Sequence, residues 1–246
     1  MAMESIFQKT NETYIDSFRL VLGFSVFVIL SSLMLPLLSS YINGGAGLVR
    51  YSSLFFDMTL EQAVVFVFIG LLSTLFLSIF ITAIVSIVKL KETADEVLFE
   101  KVVDLFPKYV ARVFLLLLLM MVLTVVIGSI FDFLSLPTYL SQILFLVMFL
   151  PFMFAPQVVV LEHLRTLPAI TDAINFITIA PKATMELLAL GTISLFALTF
   201  IEVILSSIFL YEHKLISIIL LSVLVLPYLI MYATQLYIRR YPLAKT

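Results

Sequence analysis

The stretch FLPFMFAPQVVVLEHLR, residues 149–165, predicts how this chain is built. It contains no charged residue before Glu162, although Pro151 and Pro156 interrupt it. An uncharged apolar run is typical of a helix that crosses a bilayer, and each proline removes one backbone hydrogen bond and bends the helix. We therefore interpret the stretch as the end of a kinked transmembrane helix that leaves the membrane at Glu162. Gln157 is expected to bind a carbonyl that the prolines free, or a neighbouring helix.

The composition of the whole chain supports a membrane protein. Of its 246 residues, 63% are hydrophobic and 12% are charged, whereas soluble domains are about 45–50% apolar and about 25% charged. So few charges cannot cover a water-soluble core of this size, and much of the surface must face lipid. The net charge of −2 and the scattered Lys and Arg residues argue against nucleic-acid binding. The chain has no cysteine, which excludes disulfides and zinc–thiolate sites.

Charge-poor runs mark the predicted membrane spans, since a helix needs roughly 20 apolar residues to cross the hydrocarbon core. None of the runs alternates with period two, as the strands of a membrane barrel do. The sequence therefore predicts an all-α, polytopic membrane protein in which residues 1–246 form a single six-span domain. The predicted spans are residues 18–38, 63–88, 110–132, 139–161, 185–210 and 215–238.

The distribution of Lys and Arg predicts the orientation of these spans. With the N-terminus inside, twelve basic residues fall in the inner segments and only Arg50 and Lys214 fall in the outer loops. Both termini are therefore expected in the cytoplasm, and the protein is expected in the cytoplasmic membrane. The charged first 19 residues and the long apolar run after them are not expected to form a cleavable signal peptide.

Two inner segments, residues 92–106 and 168–181, have the apolar periodicity of amphipathic helices. One interpretation is that both lie in the membrane interface and connect spans. The other is that the first is a docking surface for a cytoplasmic partner, because its polar face is acidic and anionic lipid would repel it. The candidate docking residues are Glu96, Glu100 and Asp104.

A threefold repeat of span, outer loop and returning span is a further hypothesis. Phe106-Pro107-Lys108 precedes the third span and Ala180-Pro181-Lys182 precedes the fifth. Leu150-Pro151-Phe152 and Leu226-Pro227-Tyr228 occupy the fourth and sixth spans at a similar offset. The physical interpretation is a set of helical hairpins packed about a pseudo-axis.

One part of the chain resembles a known family. FMFAPQVVVLE at 152–162, followed by AITDAINF at 169–176, is similar to the membrane domain of glycerophosphoryl diester phosphodiesterases and its six-helix prokaryotic relatives. The matching positions are Pro156, Glu162, Ala173 and Ile174. The resemblance covers about the last 110 residues and implies a membrane module with an accessory or transport-like role. The resemblance does not imply phosphodiesterase activity, since the catalytic domain of that family has no counterpart in this sequence.

Glu202 is the one acidic residue well inside a predicted span. Ionisable groups at this depth cost a few kcal/mol and often mark functional sites. A structural role, with hydrogen bonds to Thr199 or Ser206, is one interpretation; an ion or substrate site and a contact with another subunit are the others. The candidate intramembrane site consists of Glu202, Gln157, Pro151, Pro156 and Pro227.

The sequence shows no pattern of an enzyme. His163 and His213 fall on opposite sides of the predicted membrane, so they cannot share a metal ion. No nucleophile elbow, phosphate-binding loop or dinucleotide fingerprint occurs. We therefore expect no catalytic residue, metal or cofactor.

Two functions remain. The first is a non-catalytic membrane subunit or scaffold that associates with another protein or with its own copies. The second is a small transporter or lipid-handling permease, with its site between the fourth, fifth and sixth spans. A polar cavity at the middle of the membrane would favour the transporter, and a solid core with a large apolar outer patch would favour the subunit.

Overall fold

The computed structural model describes residues 5–41, 60–93, 97–134, 138–208 and 213–241. Every secondary-structure element in these ranges is helical, which confirms the predicted all-α class. The helices are α1 (Ile6–Asp16), α2 (Phe18–Tyr41), α3 (Leu60–Thr93), α4 (Phe99–Val103), α5 (Phe106–Phe133), α6 (Thr138–Leu161), α7 (Thr166–Ile179), α8 (Pro181–Ile208), α9 (His213–Leu220) and α10 (Leu226–Arg240). A π-helical segment, Leu221–Val225, joins α9 to α10.

The predicted membrane spans correspond to long apolar helices. Within the described ranges, five helices are long and apolar enough to cross a bilayer, and α9, the π segment and α10 together form one of them. A sixth crossing exists if α1 and α2 count as one span, although they meet at an angle of 84° around Ser17. The protein is therefore a polytopic membrane protein.

Consecutive spans pack against one another. The pairings along the chain are α2 with α3, α3 with α5, α5 with α6, and α8 with α9 and the π segment. Pro107 lies in the first turn of α5 and Pro181 opens α8, where the absent N–H costs nothing. Because α3 packs on α5 as well as on α2, the contacts do not divide the spans into separate hairpins, and the internal repeat stays a prediction.

The two inner segments differ from their predicted helices. In residues 92–106, α3 ends at Thr93 and α4 contains only five residues, so no long amphipathic helix forms there in the described part. The second segment does form a helix, α7, but its buried face contains Phe176 and leaves Ile174 exposed. Ala169 and Ala173 share this buried face, and the Phe176 ring contacts Phe154 of α6 and Tyr237 of α10.

Helix α6 continues through both of its prolines. The Gln157 side chain is buried. With its amide nitrogen oriented as donor, it lies 3.0 Å from the Met153 carbonyl and 2.9 Å from the Phe154 carbonyl. These bonds stay within its own helix, and neither carbonyl is that of Phe152, which Pro156 leaves without an N–H donor.

Side chains of α1 and α2 compensate for Pro227 and the π segment before it. A proline cannot donate to the carbonyl four residues earlier, which here belongs to Val223. The Tyr14 hydroxyl of α1 donates to that carbonyl at 2.8 Å. Beside it, the Ser25 hydroxyl of α2 donates to the Ser222 carbonyl at 2.8 Å. The first two helices are thus fixed to the last span through backbone groups that the proline and the π turn expose.

Replacing Tyr14 with phenylalanine is expected to lower the free energy of unfolding by about 1 kcal/mol, because the Val223 carbonyl loses its donor. In a Pro227→Ala background the restored N–H supplies that carbonyl, so the same replacement is expected to cost less. A double-mutant cycle by denaturation in mixed micelles measures this difference. Equal costs in the two backgrounds would mean that Tyr14 acts only by packing.

Candidate functional site

The structure does not bring the predicted intramembrane site residues into one described contact. Pro151, Pro156 and Gln157 lie on α6, and Gln157 makes its hydrogen bonds within that helix. Pro227 is buried at the start of α10, next to the segment that α1 and α2 hold. Glu202 lies on α8, which packs mainly against α7, α9, the π segment and α10. The pairing of these residues in one site stays a prediction.

Glu202 has no hydrogen bond or ion pair among the residues that the structure describes. The hydroxyl groups of Thr199 and Ser206, its predicted partners, do not form hydrogen bonds with its carboxyl group. The Thr199 hydroxyl donates to the Leu195 carbonyl at 2.9 Å, and the Ser206 hydroxyl donates to the Val203 carbonyl at 2.7 Å. Within the described ranges, Glu202 therefore presents a carboxyl group without a partner.

The predicted docking residues lie near the start of the second hairpin. Glu100 is on α4 and Asp104 follows it, and both are exposed. Neither forms an ion pair in the described part of the chain. Glu96 lies outside the described residues. The docking role of this acidic group stays a prediction.

The densest polar contacts lie where α3 ends, α5 begins and α6 runs into α7, and we call this region the basic end. Its central feature is the histidine cluster, which consists of Lys89, Tyr109, Arg112 and His163. None of these residues belongs to the predicted site. The sequence contained a partial signal, since His163 directly follows the last turn of a charge-free span.

Lys89 caps the carboxyl end of α6. Its ammonium group donates to the Val160 carbonyl at 2.7 Å and lies 3.4 Å from the Leu161 carbonyl. The last carbonyls of a helix have no partner within the helix and carry partial negative charge, so a cation is favourable there. Lys89 therefore joins α3 to the point where α6 leaves the membrane.

His163 forms the turn between α6 and α7 with a left-handed backbone, at φ = 61°. Its Nε2 lies 3.2 Å from Lys89 Nζ, and its Nδ1 contacts the Tyr109 hydroxyl. Because an ammonium group only donates, Nε2 accepts and the ring proton is on Nδ1. Arg112 Nη1 donates to the His163 carbonyl at 2.7 Å and to the Leu164 carbonyl at 3.2 Å. The turn is thus held on both its ring and its backbone.

The surroundings of His163 favour the neutral ring. Burial lowers the pKa of His163, and the positive charges of Lys89, Lys108 and Arg112 lower this pKa further. The unfolded chain has the ordinary histidine pKa of about 6.5. The folded protein therefore binds fewer protons than the unfolded chain at mildly acidic pH, and stability falls as the pH falls below about 6.5.

A comparison with His163→Asn is expected to reveal this dependence. Asparagine tolerates a positive φ but cannot take up the proton. We expect the melting temperature of the wild type to fall more between pH 8 and pH 5.5 than that of the variant. Thermal unfolding in a neutral detergent measures both. Parallel pH profiles would mean that His163 titrates equally in the folded and unfolded states.

A second polar group, which we call the glutamate cluster, joins α1, α3 and α10. Glu92 accepts from Lys9 Nζ at 2.7 Å and from Gln235 Nε2 at 2.9 Å. Lys91, one residue before Glu92, forms an ion pair with Asp16 at 2.8 Å. A cavity of about 350 Å³, lined in part by Asp16 and Lys91, opens beside it at the break between α1 and α2. This cavity therefore lies at the basic end.

Neither cluster provides a set of metal ligands. Within the described ranges, no group of three or more His, Asp or Glu side chains is placed to hold a metal ion. The histidine cluster instead gathers positive charge around one neutral ring. This arrangement is suited to binding an anion, because cationic hydrogen-bond donors stabilise negative charge.

Comparison with known proteins assigns no family to the chain. No family model, no curated protein and no solved structure matches it. The resemblance to the membrane domain of glycerophosphoryl diester phosphodiesterases therefore stays a prediction. The function has to be argued from the placement of the residues described above.

Proposed function

We propose that this protein is a non-catalytic membrane subunit that binds another membrane protein through α8. The observation that carries the proposal is the exposure of this helix. Only 6% of its most apolar 18 residues are buried, against 11% to 44% for the other four candidate spans. Ile193, Phe196, Phe200 and Val203 are between 61% and 76% exposed. Their alternating spacing of three and four residues is that of a helix–helix seam.

Glu202 favours a protein partner over lipid alone. A carboxyl group within a span costs about 3 kcal/mol in a translocon-based scale, and in the described residues nothing pairs with Glu202. A polar or cationic side chain on a partner helix would offset this cost, whereas lipid tails would not. The exposed hydroxyl residues Thr192 and Thr199 lie along the same side of the helix and would suit such a contact.

The transporter hypothesis has weaker support. Gln157 is satisfied within α6, and the cavity beside Asp16 lies at the basic end. The excess of basic residues at that end leads us to place it, with both chain termini, on the cytoplasmic side of the cell membrane. In this arrangement α8 contacts its partner within the bilayer.

Single-cysteine crosslinking tests the proposed interface. The chain has no cysteine of its own, so a thiol-reactive photo-crosslinker attaches to this chain only at the one introduced cysteine. Ile193→Cys, Phe196→Cys and Phe200→Cys sample the α8 face. Leu146→Cys on α6 and Val126→Cys on α5 are exposed controls in other spans. Crosslinking is done in native membranes, and the product is identified by mass spectrometry.

We expect one protein of defined mass to be crosslinked at the three α8 positions and not at the controls. Glu202→Leu is expected to weaken this product while normal amounts of the protein remain in the membrane. Products from lipid only, or the same products at all five positions, would overturn the proposal. A product containing only a second copy of this chain would replace the subunit hypothesis with a homo-oligomer.

A further inference from the structure

We infer that Lys108 and Arg112, together with Lys89, form a binding site for a phosphate group beside His163 at the basic end. The site is separate from α8 and does not depend on the proposed partner. Four observations carry the inference: positive charge without a carboxylate partner, free donor groups, a strained turn at the centre, and the position at the ends of spans.

No carboxylate in the described ranges neutralises the charges around His163. Among the described residues, ion pairs occur only between Lys9 and Glu92 and between Lys91 and Asp16. Within these ranges Lys89, Lys108 and Arg112 therefore have no carboxylate partner, although the fields of all three reach His163. The positive charges repel one another, and a bound anion would relieve that repulsion.

The neighbouring acidic residues are directed elsewhere or stay apart. Glu162 precedes His163 in the chain, but its carboxylate accepts from the Tyr237 hydroxyl of α10. Asp104 lies four residues before Lys108 and forms no ion pair with it in the described part. Neither acid therefore occupies the position that an anion would take.

Free donors are available on two of the three cations. Lys89 directs its ammonium group to the α6 carbonyls and the His163 ring, so it supplies charge alone. The contact shown for Lys108 is with the Tyr109 ring, at 5.5 Å from its centroid. In Arg112 it is Nη1 that makes both backbone hydrogen bonds. Lys108 and the rest of the Arg112 guanidinium can therefore donate to phosphate oxygens.

The backbone at the centre of the site is held in an uncommon conformation. His163 has φ = 61°, which is uncommon for a residue other than glycine. Such conformations persist when surrounding contacts fix them, and they cluster at functional sites. Here Lys89, Tyr109 and Arg112 fix the turn. The first turn of α7 follows, and the N-cap residue of that helix, Arg165, makes no side-chain cap hydrogen bond.

The position of the site suits a phosphate ester. Lys108 is in the first turn of α5, and His163 lies two residues after the end of α6, so both are at the level where spans leave the membrane. Anionic phospholipid headgroups lie at this level, and soluble phosphate compounds reach it from water. Both present the same phosphate oxygens, and experiment has to distinguish these two sources.

Binding is measured with the purified full chain in a neutral detergent at pH 7 and constant ionic strength. The probes are short-chain phosphatidylglycerol, short-chain phosphatidylcholine, inorganic phosphate and, as an anion without phosphate, chloride, each titrated against melting temperature. Lys108→Gln removes a charge whose side chain, among the described residues, contacts only the Tyr109 ring, so its fold is expected to be intact. Lys101→Gln removes another exposed charge, from the neighbouring α4, and is the matched control.

We expect phosphatidylglycerol or inorganic phosphate to stabilise the wild type and Lys101→Gln alike. Lys108→Gln is expected to bind the same probe about tenfold more weakly, the loss typical of one charge-assisted hydrogen bond. Stabilisation by inorganic phosphate would identify a soluble compound, and stabilisation by phosphatidylglycerol alone would identify a lipid headgroup. Equal affinities for all three proteins, or no preference over phosphatidylcholine and chloride, would overturn the inference.

Discussion

Replacing Phe176 with alanine is expected to lower the free energy of unfolding by about 3 kcal/mol, the largest loss we expect from a single truncation. Phe176 is fully buried on α7. Its ring centroid lies 4.6 Å from that of Phe154 on α6 and 5.1 Å from that of Tyr237 on α10. The truncation removes aromatic contacts on both sides at once, so the cavity cannot close by movement of one helix.

Denaturation in mixed micelles measures this loss, with Leu167→Ala as the control on the same helix. Leu167 is 70% exposed and belongs to no aromatic pair, so its truncation is expected to change stability by less than about 0.5 kcal/mol. Because α7 lies between two spans, its release should also increase proteolysis near residues 162–180. A loss for Phe176→Ala no larger than the control would mean that α7 is held elsewhere.

Replacing Glu92 with alanine is expected to lower the free energy of unfolding by about 2 kcal/mol. The Glu92 side chain is only 16% exposed, and it is the acceptor for both Lys9 and the buried Gln235. Its removal leaves an amide and an ammonium group without their acceptor. The Lys9 side chain is 40% exposed, so water recovers part of that loss and the expected value is at the low end for a buried pair.

The adjacent ion pair provides the control. Lys91 and Asp16 are 35% and 55% exposed, and they join the same two helices as Lys9 and Glu92. Lys91→Ala is therefore expected to cost less than about 0.5 kcal/mol. Unfolding curves in mixed micelles compare the two variants directly. Similar costs would show that the burial of Glu92, with its bond to Gln235, adds nothing to an exposed surface pair.

The spans could be predicted because they depend on a local quantity, the length of an uncharged apolar run. Each predicted span falls on α2, α3, α5, α6, α8 or the helical run from α9 to α10, with residues 209–210 of the fifth span outside the described residues. In the segment 92–106 the same method failed. Its described part forms only the five-residue helix α4, whose Phe99 ring stacks on Phe24 of α2, so packing between helices decided the conformation of so short a connection.

The histidine and glutamate clusters could not be predicted, because they depend on which helix ends meet. In the sequence, Lys89 and Lys91 are two residues apart, and they indicated only the orientation of the span. In the structure one caps α6 and the other pairs with α1. Likewise, nothing in the sequence indicated that the Tyr14 hydroxyl would donate to the Val223 carbonyl, 209 residues later in the chain.

The contacts of α1 also set an order of assembly in the membrane. Lys9 and Tyr14 precede their partners Glu92 and Val223 by 83 and 209 residues. Because a chain is synthesised from its N-terminus onward, α1 cannot form these contacts until α3 and the π segment have been made. Helix α1 therefore reaches its final position only after the later spans, and its docking follows their insertion.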